Sequence, residues 1–514
     1  ANSGHQGHPG HPRRANSLML AWSLFIAYLA GTAWLGWLGY RKTTGFGTFA
    51  VGDRNMNPFV VGIILAASVS SASTFIINPG FIYVDGFSAY FHFVIAVAIS
   101  FITMLAILSF RFRRIGAEFG ALTIPDWIGK RYESRNFALF FSLLNLLSFA
   151  FIVLLVGGIS IVMQSLLGIS NSVALAITLV FVTGYVFIGG TYAHVLTNLL
   201  QGGLMIIVTL IVLASCIWIA YQQPGSTIEA LRAIDANLVA PINENGKLFN
   251  DAFSIYVSGF VVGAILVCQP HILTKALYVK DDRAVKQYLI VFAVVFILFQ
   301  LLGTVGFFAH LVVPEEALID AATGQFRQDL VMTMYLKTIF PEAMFTFVGI
   351  VLLAAAMSTL DGLLVSISTI TANDLVLNVI GKRKREQLSE EQQMAFAMKV
   401  SHVVLVVIAI AAFLINLQPP KLLGIFGQVG VYGLTAATAV PLLLGISFRR
   451  VPISLVWLGS MAALVIHFGL FFNGDSLFPN STVTLGNPGV TAAIAAMITI
   501  PATAMMAFIA TRQS

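Results

Sequence analysis

Ser358 and Thr359 are adjacent hydroxyls, and Asp361 follows them as a carboxylate, inside the apolar run Leu352-Leu-Ala-Ala-Ala-Met-Ser-Thr-Leu-Asp361. A hydroxyl taken out of water costs free energy unless it finds a partner, and a carboxylate at membrane depth costs more. Hard cations such as sodium take oxygen ligands. A hydroxyl pair facing freed backbone carbonyls can therefore cage an alkali ion without any formal negative charge. The competing reading is that Ser and Thr aid helix packing or bond back to their own backbone. His194, His310, His402 and His467 show no spacing that would gather a catalytic metal. No cluster of acid–base residues stands out either, so a membrane enzyme is disfavoured.

The elements that must position these groups are membrane spans. The 514 residues are 58% hydrophobic and 10% charged, and a bilayer span needs about 20 apolar residues. Thirteen segments qualify: 18–40, 57–80, 86–111, 136–167, 171–189, 192–221, 251–277, 284–313, 341–378, 396–416, 422–447, 451–473 and 488–511. The segment at 341–378 is too long for one straight crossing and is expected to tilt or project into water. With the N-terminus outside and the C-terminus cytoplasmic, most of the 28 Lys and Arg residues fall in cytoplasmic loops, Lys275 counted among them. The net charge of +6 then marks topology, and no basic face on a soluble domain points to nucleic acid. Asp374, near the cytoplasmic end of its span, reads as an interfacial anchor.

Cys216 and Cys268 both sit in apolar segments, which implies no disulfide framework. Residues 1–17 lack an apolar core and read as a disordered Gly/His/Pro-rich tail rather than a signal peptide; His5, His8 and His11 are the metal-binding alternative. The charged run beginning Gly381-Lys-Arg-Lys-Arg reads as a solvated cytoplasmic linker. The polar stretches near 223–250 and 314–340 fall outside, with helical spacing over 327–338.

Two spans look internally broken. Ala66-Ala-Ser-Val-Ser-Ser-Ala-Ser-Thr74 is dense in small hydroxyl residues before Pro79-Gly80, and Gly259 and Gly263 precede Cys268-Gln-Pro-His271. They open two successive five-helix blocks, 57–221 and 251–416. Interrupted helices at matching positions in two halves point to an inverted-repeat transporter with a midplane site. The expected fold is an all-α integral membrane protein of about 13 transmembrane helices. Its LeuT-like 5+5 inverted-repeat core carries one extra leading helix (18–56 with its loop) and extra C-terminal helices (417–514), with an outer loop at 222–250.

Several motifs stand in order along the chain: Gly52-Asp-Arg54, Ser71-Ala-Ser-Thr-Phe75 through Pro79-Gly80, and Thr123-Ile-Pro-Asp-Trp-Ile-Gly-Lys-Arg-Tyr132. Gly189-Gly190 through Thr197 to Gln201, Gln269-Pro-His-Ile-Leu273, Ser358-Thr-Leu-Asp361 and Gly433 through Pro441 follow. Together they resemble the sodium:solute symporter family over nearly the whole chain. The resemblance implies a sodium ion held by the carbonyls of Ala67 and Ser70 and by Ala355, Ser358 and Thr359. Family layout points to Thr74, Gln269 and Tyr432 as substrate contacts. His92 is a candidate on position alone, with a satisfied packing histidine as the alternative. Many members carry Thr-Asp where this chain has Thr197-Asn198, so Asn198 offers an oxygen without charge and one sodium per solute is expected. Asp361 reads as a structural brace, with a coupling role, including proton coupling, as the alternative.

The resemblance implies secondary transport of a small organic solute by alternating access. The Ser-Ala-Ser-Thr-Phe run looks closest to the pantothenate and monocarboxylate branches, with a proline-like amino acid or a neutral sugar as other solutes. Its expected partners are that solute and the lipid bilayer, with no obligatory protein partner. A transporter-like sensor is the rival outside transport, and no signalling module is seen after the last span.

Overall fold

The computed structural model describes residues 12–319, 324–376, 389–419 and 423–512. The histidines at 5, 8 and 11 and the charged run 381–388 lie outside them. The described residues form helices joined by turns, apart from one isolated bridge between Ile319 and Phe326. In chain order the principal helices are α1 (Leu18–Lys42), a bent pair α2 (Pro58–Val69) and α3 (Ser73–Asp85), α4 (Phe87–Glu118), α5 (Arg135–Leu167) and α6 (Asn171–Gln222). A second bent pair follows, α7 (Phe253–Leu266) and α8 (Pro270–Tyr278), then α9 (Asp282–Val312), α10 (Glu342–Val376), α11 (Glu391–Asn416), α12 (Gly424–Ser447), α13 (Ile453–Leu477) and α14 (Pro488–Arg512). Ten helices are long and apolar enough to cross a membrane, or twelve with each bent pair taken as one span. The helix α1 extends back to Pro12, into the stretch read as tail.

At 52 residues, α6 would run about 78 Å if straight, against a hydrocarbon core of about 30 Å. It reverses instead. Gly190 has φ 50° and ψ −135°, a conformation that L side chains avoid. A Cβ there would meet the Phe49 ring at 2.3 Å. Going up α1, Leu18 approaches Gly168 and Gly36 meets Tyr185; coming back down, Gly39 meets Ala193 and Gly31 approaches Leu200. Both arms therefore lie along α1, matching the two spans 171–189 and 192–221.

The bends follow from local chemistry. Asn57 caps α2 by accepting a bond from the Phe59 amide at 2.9 Å, with Pro58 in the first turn, where its missing N–H costs nothing. The run of serines then offers the backbone other partners: Ser70 leaves helical geometry at φ −84°, ψ 77°, and Ser71 Oγ accepts the Ser73 amide at 3.1 Å. The chain resumes at 56° to its first half. In the second pair, Pro270 has no N–H to continue the ladder and forces Gln269 into extended backbone, giving a 61° bend. Gly263 lets α7 lie against α4, since a Cβ there would fall 2.1 Å from Ser100 Oγ and 2.5 Å from the Val97 carbonyl.

Around these bends, α2 packs on α9, α6 and α10, while α7 packs on α4, α12 and α14. Almost every side chain of α10 between Val348 and Val365 is buried, which makes it a central element. The polar stretches near 223–250 and 314–340 hold short helices, Thr227–Ile234 with a Ser226/Glu229 capping box and Val331–Ile339.

Two residues sit differently from their expected places. Lys275 is no loop residue: α8 continues through it, it is 1% exposed, and its Nζ donates to the His271 carbonyl at 2.7 Å. Asp374 is no interfacial anchor: it is buried, accepting hydrogen bonds from Thr123 Oγ1 and from Asn373 Nδ2. The π-helical turn Thr371–Val376 tucks it against the short helix Ile124–Arg131, whose first turn Thr123 caps.

Candidate functional site

Breaking α2 frees carbonyls that hydrocarbon cannot satisfy. The last regular bond of α2 runs from the Ser70 amide to the Ala66 carbonyl at 2.9 Å. Continuing the helix would send the Ser71 amide to Ala67, but it bonds Val69 at 3.0 Å instead. The hydroxyl pair of α10 meets the freed groups. Ser358 Oγ lies 2.8 Å from the Ala67 carbonyl and 2.7 Å from the Ala355 carbonyl, and Thr359 Oγ1 donates to the Ser68 carbonyl at 2.8 Å.

A serine hydroxyl carries one proton, yet Ser358 Oγ has two carbonyl oxygens within donating distance. Oxygen lone pairs are thus in surplus at a point that is fully buried. Ser70 Oγ, at the break, is also buried and has no partner. A cluster of hard, uncharged oxygens with an unfilled valence suits a small alkali cation. Of the five residues expected to hold sodium, Ala67, Ala355 and Ser358 share one hydrogen-bonded cluster. Thr359 bonds the neighbouring Ser68 carbonyl, and Ser70 ends the helix two residues further on.

Behind this cluster lies a polar layer built on Asn198 and Asp361, whose contacts the sequence did not reveal. Asn198 Nδ2, on the second arm of α6, donates to Ser68 Oγ at 2.9 Å and to the Ser358 carbonyl at 3.0 Å, so it ties α2, α6 and α10 together. Its Oδ1 is buried and unpartnered. Asp361 is 0% exposed and accepts from Tyr185 at 3.0 Å and Thr197 at 3.2 Å, with His194 Nδ1 at 2.9 Å. His194 and Asn198 are four residues apart and share a helix face, the one signal that could have linked them. Asp361 and His194 are 167 positions apart, so their pairing belongs to the tertiary fold alone.

A cavity of about 100 Å³ opens beside the two bends, lined from α2, α3, α4, α5, α7, α8, α9 and α12. Thr74, Gln269 and Tyr432 line it, together with Ser71, Ser73, Asn78, Gln300 and Gln428; Phe101, Phe151 and Phe296 form apolar walls. No Asp, Glu, Lys or Arg is among its described lining residues. His92 lies elsewhere: its Nδ1 is 2.8 Å from the Ser254 carbonyl and its ring packs 4.5 Å from Phe249. His271 does line the cavity, with its Nδ1 buried and unpartnered. Ser68 went unread because it lay within a run of similar hydroxyls, and Gln300 because it is a lone amide in the long apolar helix α9.

Comparison with known proteins joins these features. A sodium/pantothenate symporter of Haemophilus influenzae is 29% identical over 429 residues, covering 82% of this chain and 83% of its own. A sodium/proline symporter of Escherichia coli is 24% identical over 440 residues, 83% and 82% of the two chains. Among solved structures, the substrate-bound outward-open state of a Na+-coupled sialic acid symporter superposes with a TM-score of 0.72 at 16% identity, over 95% of this chain and 98% of that one. That likeness carries the fold: an all-helical transporter core of the LeuT type. The model of the sodium:solute symporter family matches residues 49–465, from the short helix Phe46–Val51 before the first broken helix into α13. A carrier rather than an enzyme, this chain belongs to the sodium:solute symporter family.

Proposed function

We propose that this protein couples one sodium ion to the import of a small organic carboxylate across a bacterial inner membrane, with its N-terminus outside. The observation that carries the reading is Ser358 Oγ placed between the freed Ala67 carbonyl of the broken helix and the Ala355 carbonyl of α10. Sodium entering from outside is held by Ala67, Ser70, Ala355, Ser358 and Thr359. It replaces hydrogen bonds between α2 and α10 with stronger charge–dipole contacts and so fixes the bend of α2/α3. Thr74 on α3, Gln269 before α8 and Tyr432 on α12 then meet the solute in a cavity whose shape depends on that bend. At about 100 Å³ the cavity is below the few hundred Å³ usual for ligand sites, so it widens to admit the solute and closes during transport.

Asn198 supplies no counter-charge for a second ion, which supports a stoichiometry of one. One sodium carried with one ionised carboxylate moves no net charge, so the sodium concentration gradient alone drives accumulation; with a zwitterionic amino acid the same sodium would add about 2.3 kcal/mol per 100 mV. Asp361, held by three donors, acts as a brace between α6 and α10. An amino acid is the second reading, since relatives include sodium/proline symporters. The described lining has neither an acid for an ammonium group nor a Lys or Arg for a carboxylate, so the carboxylate is preferred on the likeness to a sodium/pantothenate symporter.

The test is uptake into proteoliposomes with sodium or choline outside, at fixed pH. Solute accumulation that follows the sodium gradient supports the reading. Accumulation unchanged by choline, or driven by a pH step alone, sinks it.

A further inference from the structure

Gln300 lies in α9, 5% exposed, in the wall of the cavity. Its Nε2 donates to the Phe93 carbonyl at 2.9 Å. A carbonyl can only accept, so this bond fixes which end of the amide is nitrogen. The other end, Oε1, is therefore an acceptor, and it is buried without a partner. His271 Nδ1 is a second buried, partnerless polar atom in the same wall. Buried polar groups are satisfied in the great majority of cases, and exceptions call for a missing partner.

Resting on the symport reading above, we infer that Gln300 selects a solute bearing a neutral hydrogen-bond donor: a hydroxylated or amide-containing carboxylate, not a bare one. An ionised carboxylate is acceptor-only, so a simple acid brought against Gln300 would leave Oε1 unsatisfied and set two acceptors facing one another. A solute hydroxyl or amide N–H satisfies it. A site built to bond a polar group rejects the analogue that lacks it far more strongly than an apolar pocket rejects a missing methylene. An ammonium donor would also reach Oε1, but no carboxylate among the described lining residues would compensate its charge.

The experiment is ligand-induced thermal stabilisation of the purified full chain by paired acids. The pairs are lactate against propionate and pantothenate against its analogue without hydroxyls, each in sodium and in choline buffer. The donor-bearing member of at least one pair is expected to act at about tenfold lower concentration or less. Gln300→Met should bring that ratio to within about threefold, with the donor-bearing acid weakened and the donor-free acid, relieved of the facing acceptor, bound no worse. Equal potency within both pairs, or no stabilisation by any of the four, overturns the inference. Should Gln300→Met fail to accumulate, Gln300→Asn, which withdraws the amide by one methylene, takes its place with the same loss of ratio expected. A donor preference that persists equally in choline would keep the role of Gln300 and defeat sodium coupling; sodium-dependent binding without a preference would do the converse.

Discussion

Replacing Ser358 by alanine removes one oxygen from the proposed ion cage and leaves the rest in place. The Ala67 and Ala355 carbonyls remain, as do Thr359 Oγ1 and Ser70. The lost group is a single oxygen facing a monovalent cation at a fully buried point. Hydrogen bonds to charged groups contribute about 1.5–3 kcal/mol, a reasonable measure for one such ion–oxygen contact. At about 1.4 kcal/mol per tenfold, sodium affinity should fall by roughly 10- to 100-fold. The assay is initial uptake rate against external sodium at saturating solute, with osmolarity held by choline. The half-saturating sodium concentration should rise at least about tenfold, while the maximal rate is approached again at high sodium. Ser142→Ala is the control: that hydroxyl is buried too but bonds only its own helix, to the Ala138 carbonyl at 2.7 Å. A Ser358→Ala curve superposable on wild type, or one shifted no more than the Ser142→Ala curve, would refute the reasoning.

Further outcomes follow from the same geometry. Asn198→Asp places a carboxylate against Ser68 and the Ser358 carbonyl, so the Hill coefficient for sodium should move from about 1 towards 2; a coefficient already near 2 in wild type would contradict the single-ion stoichiometry. Asp361→Asn removes the charge that His194, Tyr185 and Thr197 converge upon, and loss of one partner from a buried charged network costs about 3–5 kcal/mol. It should lower the melting temperature in detergent with little change in half-saturating sodium, whereas the reverse pattern would make Asp361 part of coupling. Gly190→Ala forces a side chain into a positive-φ region close to glycine-only, at about 1–3 kcal/mol, and into the Phe49 ring. Thermal melting should fall clearly, and a wild-type melt would mean the α6 hairpin is built otherwise.

How much of this was legible in the chain depends on the range of the forces. The two bends were readable because their causes are local: Pro270 lacks a donor, and clustered serines from Ser68 to Ser73 compete with the helical ladder. The α6 reversal was readable from Gly189-Gly190 and from length. The Ser358–Thr359 pair announced itself as polarity in an apolar run. What needed the fold was every contact between distant elements. Lys275 looked like a loop cation because it stands near a span's end, and only the continuation of α8 past Pro270 carries it inside. Asp374 looked like an anchor for the same reason, until Thr123, capping the short helix packed against it, and its neighbour Asn373 proved to be its donors. Gln300 is one amide in a helix otherwise apolar over most of its length, and nothing nearby in sequence shows that Phe93 claims its nitrogen. Of the expected solute contacts, Thr74, Gln269 and Tyr432, drawn from family layout, line the cavity, whereas His92, drawn from position alone, has its ring engaged at Ser254.

The measurement that bears most directly on the ion cage is equilibrium solute affinity of the purified full chain in sodium and in choline, paired with sodium affinity with and without solute. Linkage requires the two enhancement factors to be equal. A cage formed by the broken helix α2/α3 and α10, beside the solute cavity, predicts a shared factor well above one that falls towards one in the Ser358→Ala, Thr359→Ala double variant. Solute affinity that is the same in sodium and choline would contradict it.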